Sequence, residues 1–96
     1  MMIIKLYIAG DSEKSRLNAT DVKKVLVRMK KDPGQLEVVD VLEQPLVAMA
    51  DEILATPTLL VQSHAGTRKV VGDFGDTEKM MKLLDFSDTV QARGGE

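Results

Sequence analysis

Residues 3–41 carry the pattern that most narrows what this chain can fold into. Ile-Ile-Lys-Leu-Tyr-Ile-Ala at 3–9 is a nearly continuous apolar run with β-branched residues, the signature of a strand covered on both faces. Gly10-Asp11-Ser12 punctuates it. Val22, Val25, Leu26 and Met29 then recur at i, i+3, i+4 and i+7, one face of a helix, with Lys23, Lys24 and Arg28 on other faces. Two starts fit this helix: an early one capped by Asp11 or Ser12, and a later one capped by Asn18 or Thr20. Asp32-Pro33-Gly34 supplies the stop, because proline cannot continue a helix and glycine tolerates a left-handed exit. Leu36, Val38, Val39 and Val41 mark a second strand over 36–41. A strand, a helix of this length and a strand call for parallel pairing through a right-handed crossover.

The rest of the chain continues the alternation. Pro45 suits a first helical position, and a second helix is expected over 46–54. Leu46, Val47, Ala48, Met49, Ala50, Ile53 and Leu54 leave it little polar surface beyond Asp51 and Glu52. Such a helix is either fully buried or carries a sticky exposed face, and a chain of 96 residues has difficulty burying it fully. Strands are expected over 58–62 and 68–71, joined by the turn residues 63–67, with a loop over 72–75 after them. Asp76 or Thr77 can cap a last helix containing Met80, Met81, Leu83 and Leu84, with Phe86 extending its packing. The order β-α-β-α-β-β-α is thioredoxin-like. In that fold the third strand typically comes after a cis-proline, and Thr56-Pro57-Thr58 occupies that place. One domain over 1–91 and a flexible tail over 92–96 are expected.

Composition removes several function classes. With no cysteine, disulfide scaffolds, thiolate catalysis and Cys-ligated metals are out of reach. The segment 10–14, where a thioredoxin places its Cys-x-x-Cys, offers no nucleophile with an identifiable base. A net charge of -2, from 13 basic and 15 acidic residues, disfavours nucleic acid as a partner. The start, Met1-Met2-Ile3-Ile4-Lys5, does not read as a secretory leader, and no apolar run approaches a membrane span. A cytoplasmic setting is expected, without membrane contact.

Individual polar residues read as structural. His64 is the single histidine, in an expected turn, where solvation explains it better than ligation. Asp76 reads as a helix cap beside Asp73, and Asp40 as a backbone acceptor at a strand end. The glycines of 72–75 lack the Gly-Lys-Ser/Thr ending of a phosphate loop. Met80 and Met81 read as core, and Met49 equally as core or contact residue. Lys23, Lys24, Arg28, Lys30 and Lys31 form a basic run whose ordinary explanation is a solvated face, with contact to an acidic partner second. No metal, cofactor or catalytic residue is expected.

Four blocks carry a family likeness: Lys5-Leu6-Tyr7-Ile8-Ala9-Gly10, Val39-Asp40-Val41-Leu42, Ile53-Leu54-Ala55-Thr56-Pro57-Thr58-Leu59 and Val70-Val71-Gly72-Asp73. Together they resemble the KaiB family and align with it without a gap from Lys5 to about Asp85. The third block is specific; the first alone is not. The resemblance implies a non-enzymatic clock component that binds the ring-shaped ATPase KaiC and sequesters KaiA. It also implies kinship with the sensor part of the histidine kinase SasA and with stress-response relatives. The family is further known for two folds, a tetrameric ground state and a rarer thioredoxin-like state that binds KaiC.

Departures from the clock pattern shape the expectation. Clock members usually carry a proline-rich loop where this chain has His64-Ala65-Gly66, and a glycine-containing turn closes a hairpin more easily. They can carry glycine at the position of Leu83, where leucine is the better helix former. Gly66, Gly72, Asp73, Leu83 and Asp85 are therefore placed together as fold-preference positions, favouring a thioredoxin-like monomer over the tetrameric ground-state fold. Around Leu46, Met49 and Ala50 clock members tend to be polar and acidic, which implies weakened or redirected KaiC binding here. The expected function is a non-catalytic adaptor docking on a KaiC-type ATPase or a histidine-kinase pathway protein through Leu46, Val47, Met49 and Ala50, with Asp51 or Glu52 at the rim, and with Pro57 as a structural cis-proline. The alternatives are a redox-inactive thioredoxin-like sensor or stress-response domain, and an oligomeric structural protein in the ground-state fold.

Overall fold

The computed structural model describes residues 2–85. The expected tail over 92–96 and the packing of Phe86 lie outside these residues. The elements run β1 (Ile3–Ile8), α1 (Glu13–Arg28), a 3-10 turn (Pro33–Gln35), β2 (Leu36–Asp40), α2 (Pro45–Ala50), β3 (Thr58–Ser63), β4 (Gly66–Val71) and α3 (Thr77–Leu83). The strands form one sheet in the order β2-β1-β3-β4. β1 pairs parallel with β2, Leu6 opposite Val38, and antiparallel with β3, Leu6 opposite Leu59. β3 and β4 form a hairpin whose last pair is Ser63 and Gly66, so the loop is two residues, shorter than the turn expected over 63–67. Gly66 sits at φ +136°, a region that side-chain-bearing residues rarely adopt.

Alternation along the strands divides the core in two. Ile4, Leu6 and Ile8 face α1 and α3, and pack with Val22, Val25, Leu26, Leu59, Val61, Phe74, Met80 and Leu84. Tyr7 points to the opposite face, where it forms a smaller cluster with Val39, Leu60 and Ala48 of α2. The aliphatic helical stripe of α1 is thus spent on one face, and α2 alone covers the other.

Ser12 resolves the two possible starts of α1 in favour of the early one. Its hydroxyl accepts from the Ser15 backbone N–H at 3.1 Å. The stop comes earlier than Asp32-Pro33-Gly34. Lys30 adopts φ 61°, its N–H donates to the Val27 carbonyl, and the Lys31 N–H donates to that of Leu26 at 2.8 Å. This is a Schellman cap with lysine at the left-handed position usually given to glycine. Pro33 and Gly34 instead make the 3-10 turn, with Asp32 accepting from the Gly34 N–H at 2.8 Å.

The same device corrects the expected second helix. Instead of reaching residue 54, α2 ends at Ala50, because Glu52 turns left-handed at φ 56°. The Glu52 N–H donates to the Met49 carbonyl and the Ile53 N–H to that of Ala48, both at 3.0 Å. Ile53 packs back on the cluster containing Ala48, which completes the motif's apolar contact. Asp76 caps α3 by accepting from the Lys79 N–H at 3.1 Å.

Candidate functional site

The second helix has one residue in the core. Ala48 is buried and Val47 half-buried, while Leu46 and Met49 are 76% and 70% exposed. Leu46 and Met49 are three apart and therefore share a helical face. Ala50 and Glu52 are exposed as well. Leu42, in the turn before the helix, and Leu54, after it, are also exposed, at 71% and 98%. The patterning of 46–54 thus resolves into a small buried contact and a larger apolar outer surface. Leu42 and Leu54 are not in the docking set expected from the sequence, although the over-apolar stretch that contains Leu54 was the available signal.

Asp51 has a different position from the other sequence-selected residues. It comes directly after the last residue of α2 and points back to the sheet, where its carboxylate accepts from the Tyr7 hydroxyl. Lys5 Nζ donates to the same oxygen at 3.3 Å. Lys69 Nζ donates to the Glu52 carbonyl at 3.3 Å. One end of α2 is therefore clamped to β1 and β4 by side chains on the sheet face that it covers. This packing sets the electrostatics. The hydrogen bond from Tyr7 is the chief cause that lowers the Asp51 carboxyl below its ordinary value; Lys5 adds to it and burial opposes it. The Tyr7 phenol is pushed well above the usual tyrosine range, by burial first and then by Asp51. Nothing in the sequence pairs Tyr7 with Asp51, because they are 44 residues apart.

A second cleft, of about 170 Å³, lies between the start of α1 and the turn before β3, lined among others by Ser12, Ser15, Thr56 and Pro57. The Thr56–Pro57 peptide bond is cis, and the Pro57 carbonyl accepts from the Gly72 N–H at 2.9 Å. Gly72 lets Phe74 and Pro57 close in: a Cβ there would lie 2.8 Å from the Phe74 ring and 2.9 Å from Pro57 Cγ. The Ser12 and Ser15 hydroxyls are 3.1 Å apart, and Ser15 also donates to the Gly10 carbonyl at 2.9 Å. Both hydroxyls are thus engaged in local bonds at the start of α1. Ser15 escaped notice in the sequence, where its spacing from Ser12 was the signal.

The remaining selected residues take structural places. Asp40 accepts from the Gly10 and Leu42 N–H groups, both at 2.9 Å, and so ties the ends of β1 and β2 together. Asp73 accepts from the Gly75 N–H at 3.0 Å. Leu83 is the last residue of α3, and the Asp85 N–H donates to the Lys82 carbonyl. His64 is exposed at the hairpin tip. Among the described residues, no three His, Asp or Glu side chains gather where they could hold one ion.

Residues 5–86 match the family model for the KaiB domain. The chain belongs to the KaiB family. A circadian clock oscillator protein KaiB of Prochlorococcus marinus subsp. pastoris is 41% identical over 84 residues, covering 88% of this chain and 78% of that protein. Its counterpart in Gloeothece citriformis is 38% identical over 95 residues, covering 98% and 90% respectively. The circadian clock protein KaiB3 of a Synechocystis strain is 33% identical over 85 residues, covering 88% and 83%. The family match spans both α2 and the cis-proline turn. In fold the chain is thioredoxin-like. It superposes on thioredoxin 1 of Thermosipho africanus with a TM-score of 0.66 at 12% identity, over 93% of this chain and 97% of that one. For mitochondrial thioredoxin 3 of Saccharomyces cerevisiae the TM-score is 0.64 at 20% identity, over 86% and 78%. Among the described residues no helix is long and apolar enough to cross a membrane.

Proposed function

We propose that this KaiB-family protein is a non-catalytic clock adaptor of the cytoplasm that docks on a KaiC-type ATPase or a related histidine-kinase pathway protein through α2 and its flanking turns, the apolar face of α2 shifting the balance between these partners. The observation that carries the proposal is the outer surface of α2. Leu46 and Met49 add nothing to the core, yet they expose apolar area where a solvated helix would place charge. Apolar residues at the centre of a contact supply most of its affinity once covered, while charged residues at the edge tune it. Leu46, Val47, Met49 and Ala50 form that centre in this reading. Glu52 is the rim charge, and Asp51 sets the end of the helix rather than meeting the partner.

Replacing Leu46 and Met49 together by Asp tests the face. Both side chains are largely exposed, so the thermal midpoint stays within a few degrees of the parent, as for surface changes of about 0.5 kcal/mol each. Affinity for a KaiC-type ATPase, measured by biolayer interferometry, is lost. Unchanged affinity rejects this face.

The resting state in the same reading is a thioredoxin-like monomer. Gly66, in the two-residue hairpin, and Leu83, in α3, support it. Backbone ¹³C shifts are expected to be helical across Thr77–Leu83, with a monomer mass by light scattering at two concentrations. Strand-like shifts over Met80 to Leu83, or a tetramer mass, would contradict it.

A further inference from the structure

The basic run of α1 lies on the other side of the sheet from α2 and has no part in that docking reading. Val22, Val25 and Leu26 hold the inner face of α1, which leaves Lys23, Lys24 and Arg28 exposed on the outside. Among the described residues, the ion pairs are Lys5 with Asp51 and Arg16 with Asp11. None involves Lys23, Lys24, Arg28, Lys30 or Lys31. These cations border a surface that is not itself polar. An open groove of about 580 Å³ runs along Lys23, Lys24, Val27, Arg28, Pro33 and Thr77, and Val27 is 57% exposed within it. Past Arg28, a second hollow of about 530 Å³ lies between Met29 and Lys31 on one side and Glu78, Met81, Lys82 and Asp85 on the other. Arg28 lines both.

We infer that this groove between α1 and α3 is a docking site for an acidic amphipathic helix of a partner protein. The floor calls for apolar side chains: Val27 has no core role, and Met29 and Met81 are half-buried and adaptable. The rim calls for carboxylates, since Lys23, Lys24 and Arg28 make no ion pair among the described residues and line a groove without an acidic side chain, Glu78 and Asp85 standing in the second hollow beyond it. One segment meets both demands when its apolar residues recur at i, i+3, i+4 and i+7 and its acidic residues flank them. A nucleic-acid backbone meets only the second, since it offers no apolar side chains to the floor. Length agrees: the 16 residues of α1 span about 24 Å, enough to lie along a partner helix of about 16 residues.

Fluorescence anisotropy tests this with a labelled synthetic peptide of about 16 residues, a leucine stripe flanked by Glu. Its controls are the same peptide with Lys for Glu, a single-stranded RNA and vesicles of anionic lipid. The Glu peptide is expected to bind, more weakly as salt rises, and the three controls to stay free. Lys24→Glu combined with Arg28→Glu is expected to weaken binding at least ~10-fold, and Val27→Asp similarly, while Leu46→Asp with Met49→Asp leaves it unchanged. Circular dichroism checks that each variant folds, and Lys24→Gln with Arg28→Gln replaces the Glu pair if that pair does not. Absence of Glu-peptide binding overturns the inference, as does binding indifferent to these substitutions. RNA or vesicles captured through the same residues, or self-association lost on charge reversal, would assign the groove to another occupant and equally overturn it.

Discussion

Replacing Tyr7 by Phe removes a single oxygen from the interior and isolates the bond that holds α2 to the sheet. Tyr7 is fully buried, and its hydroxyl donates to the Asp51 carboxylate at the end of that helix. A hydrogen bond to a charged acceptor contributes about 1.5–3 kcal/mol. Asp51 is about one-fifth exposed and keeps Lys5 as a partner, so the loss belongs at the low end, about 1.5 kcal/mol. With a urea slope of about 1 kcal/mol/M for a domain of this size, the unfolding midpoint falls by about 1.5 M. The pH dependence identifies the cause. A carboxyl whose pKa is lowered by folding contributes stability above its unfolded value, about 3.9, and that stability is lost as pH falls through the folded pKa. The parent protein therefore loses stability below about pH 4, in a step that is smaller in Tyr7→Phe. The phenol works in the other direction. Its pKa is raised by folding, so its contribution is full below about pH 10 and is lost as pH rises further, a loss that Tyr7→Phe does not show. A variant that matches the parent's urea midpoint at neutral pH, and its acid slope, would refute the clamp.

Two further substitutions probe the backbone. Gly72→Ala places a Cβ against Phe74 and Pro57 at under 3.0 Å and is expected to cost about 1–3 kcal/mol by urea denaturation, as overpacking does. Lys30→Gly relieves a left-handed residue at the cap of α1 and is expected to raise stability by about 0.5–1 kcal/mol, read as a higher thermal midpoint.

Sequence reasoning succeeded where the physics is local and failed where it is not. The period of Val22, Val25, Leu26 and Met29 sufficed to place the inner face of α1, and the apolar run of β1 to mark a central strand. Capping chemistry named Ser12 among the possible starts. Both helix stops were missed for one reason: Lys30 and Glu52 occupy positions where glycine is the readable signal. Their left-handed turns are imposed by the residues just after them, Ile53 returning to Ala48 and the Lys31 N–H to the Leu26 carbonyl. Asp51 illustrates the second limit. Beside Glu52 in an acidic pair it reads as a rim charge, and its bond to Tyr7 depends on sheet register that no local pattern contains. The groove over α1 was half legible. Its cations stand out as a run, but the apolar floor requires α3 beside them.

The two faces of the sheet differ in how they are closed, and this difference links fold to function. One face carries α1 and α3 over a cluster of eleven buried residues. The other carries the six residues of α2 over a cluster of four: Tyr7, Val39, Ala48 and Leu60. A helix this short is not stable alone, and its tertiary packing must hold it in place. Ala48 buries little area, so Val47, Ile53 and the Tyr7–Asp51–Lys5 clamp carry much of that task. Leu46 and Met49, the two large side chains that could have strengthened the packing, point outward instead. The apolar area that would have secured α2 in isolation is thus directed to its surface, where the partner proposed above would bury it.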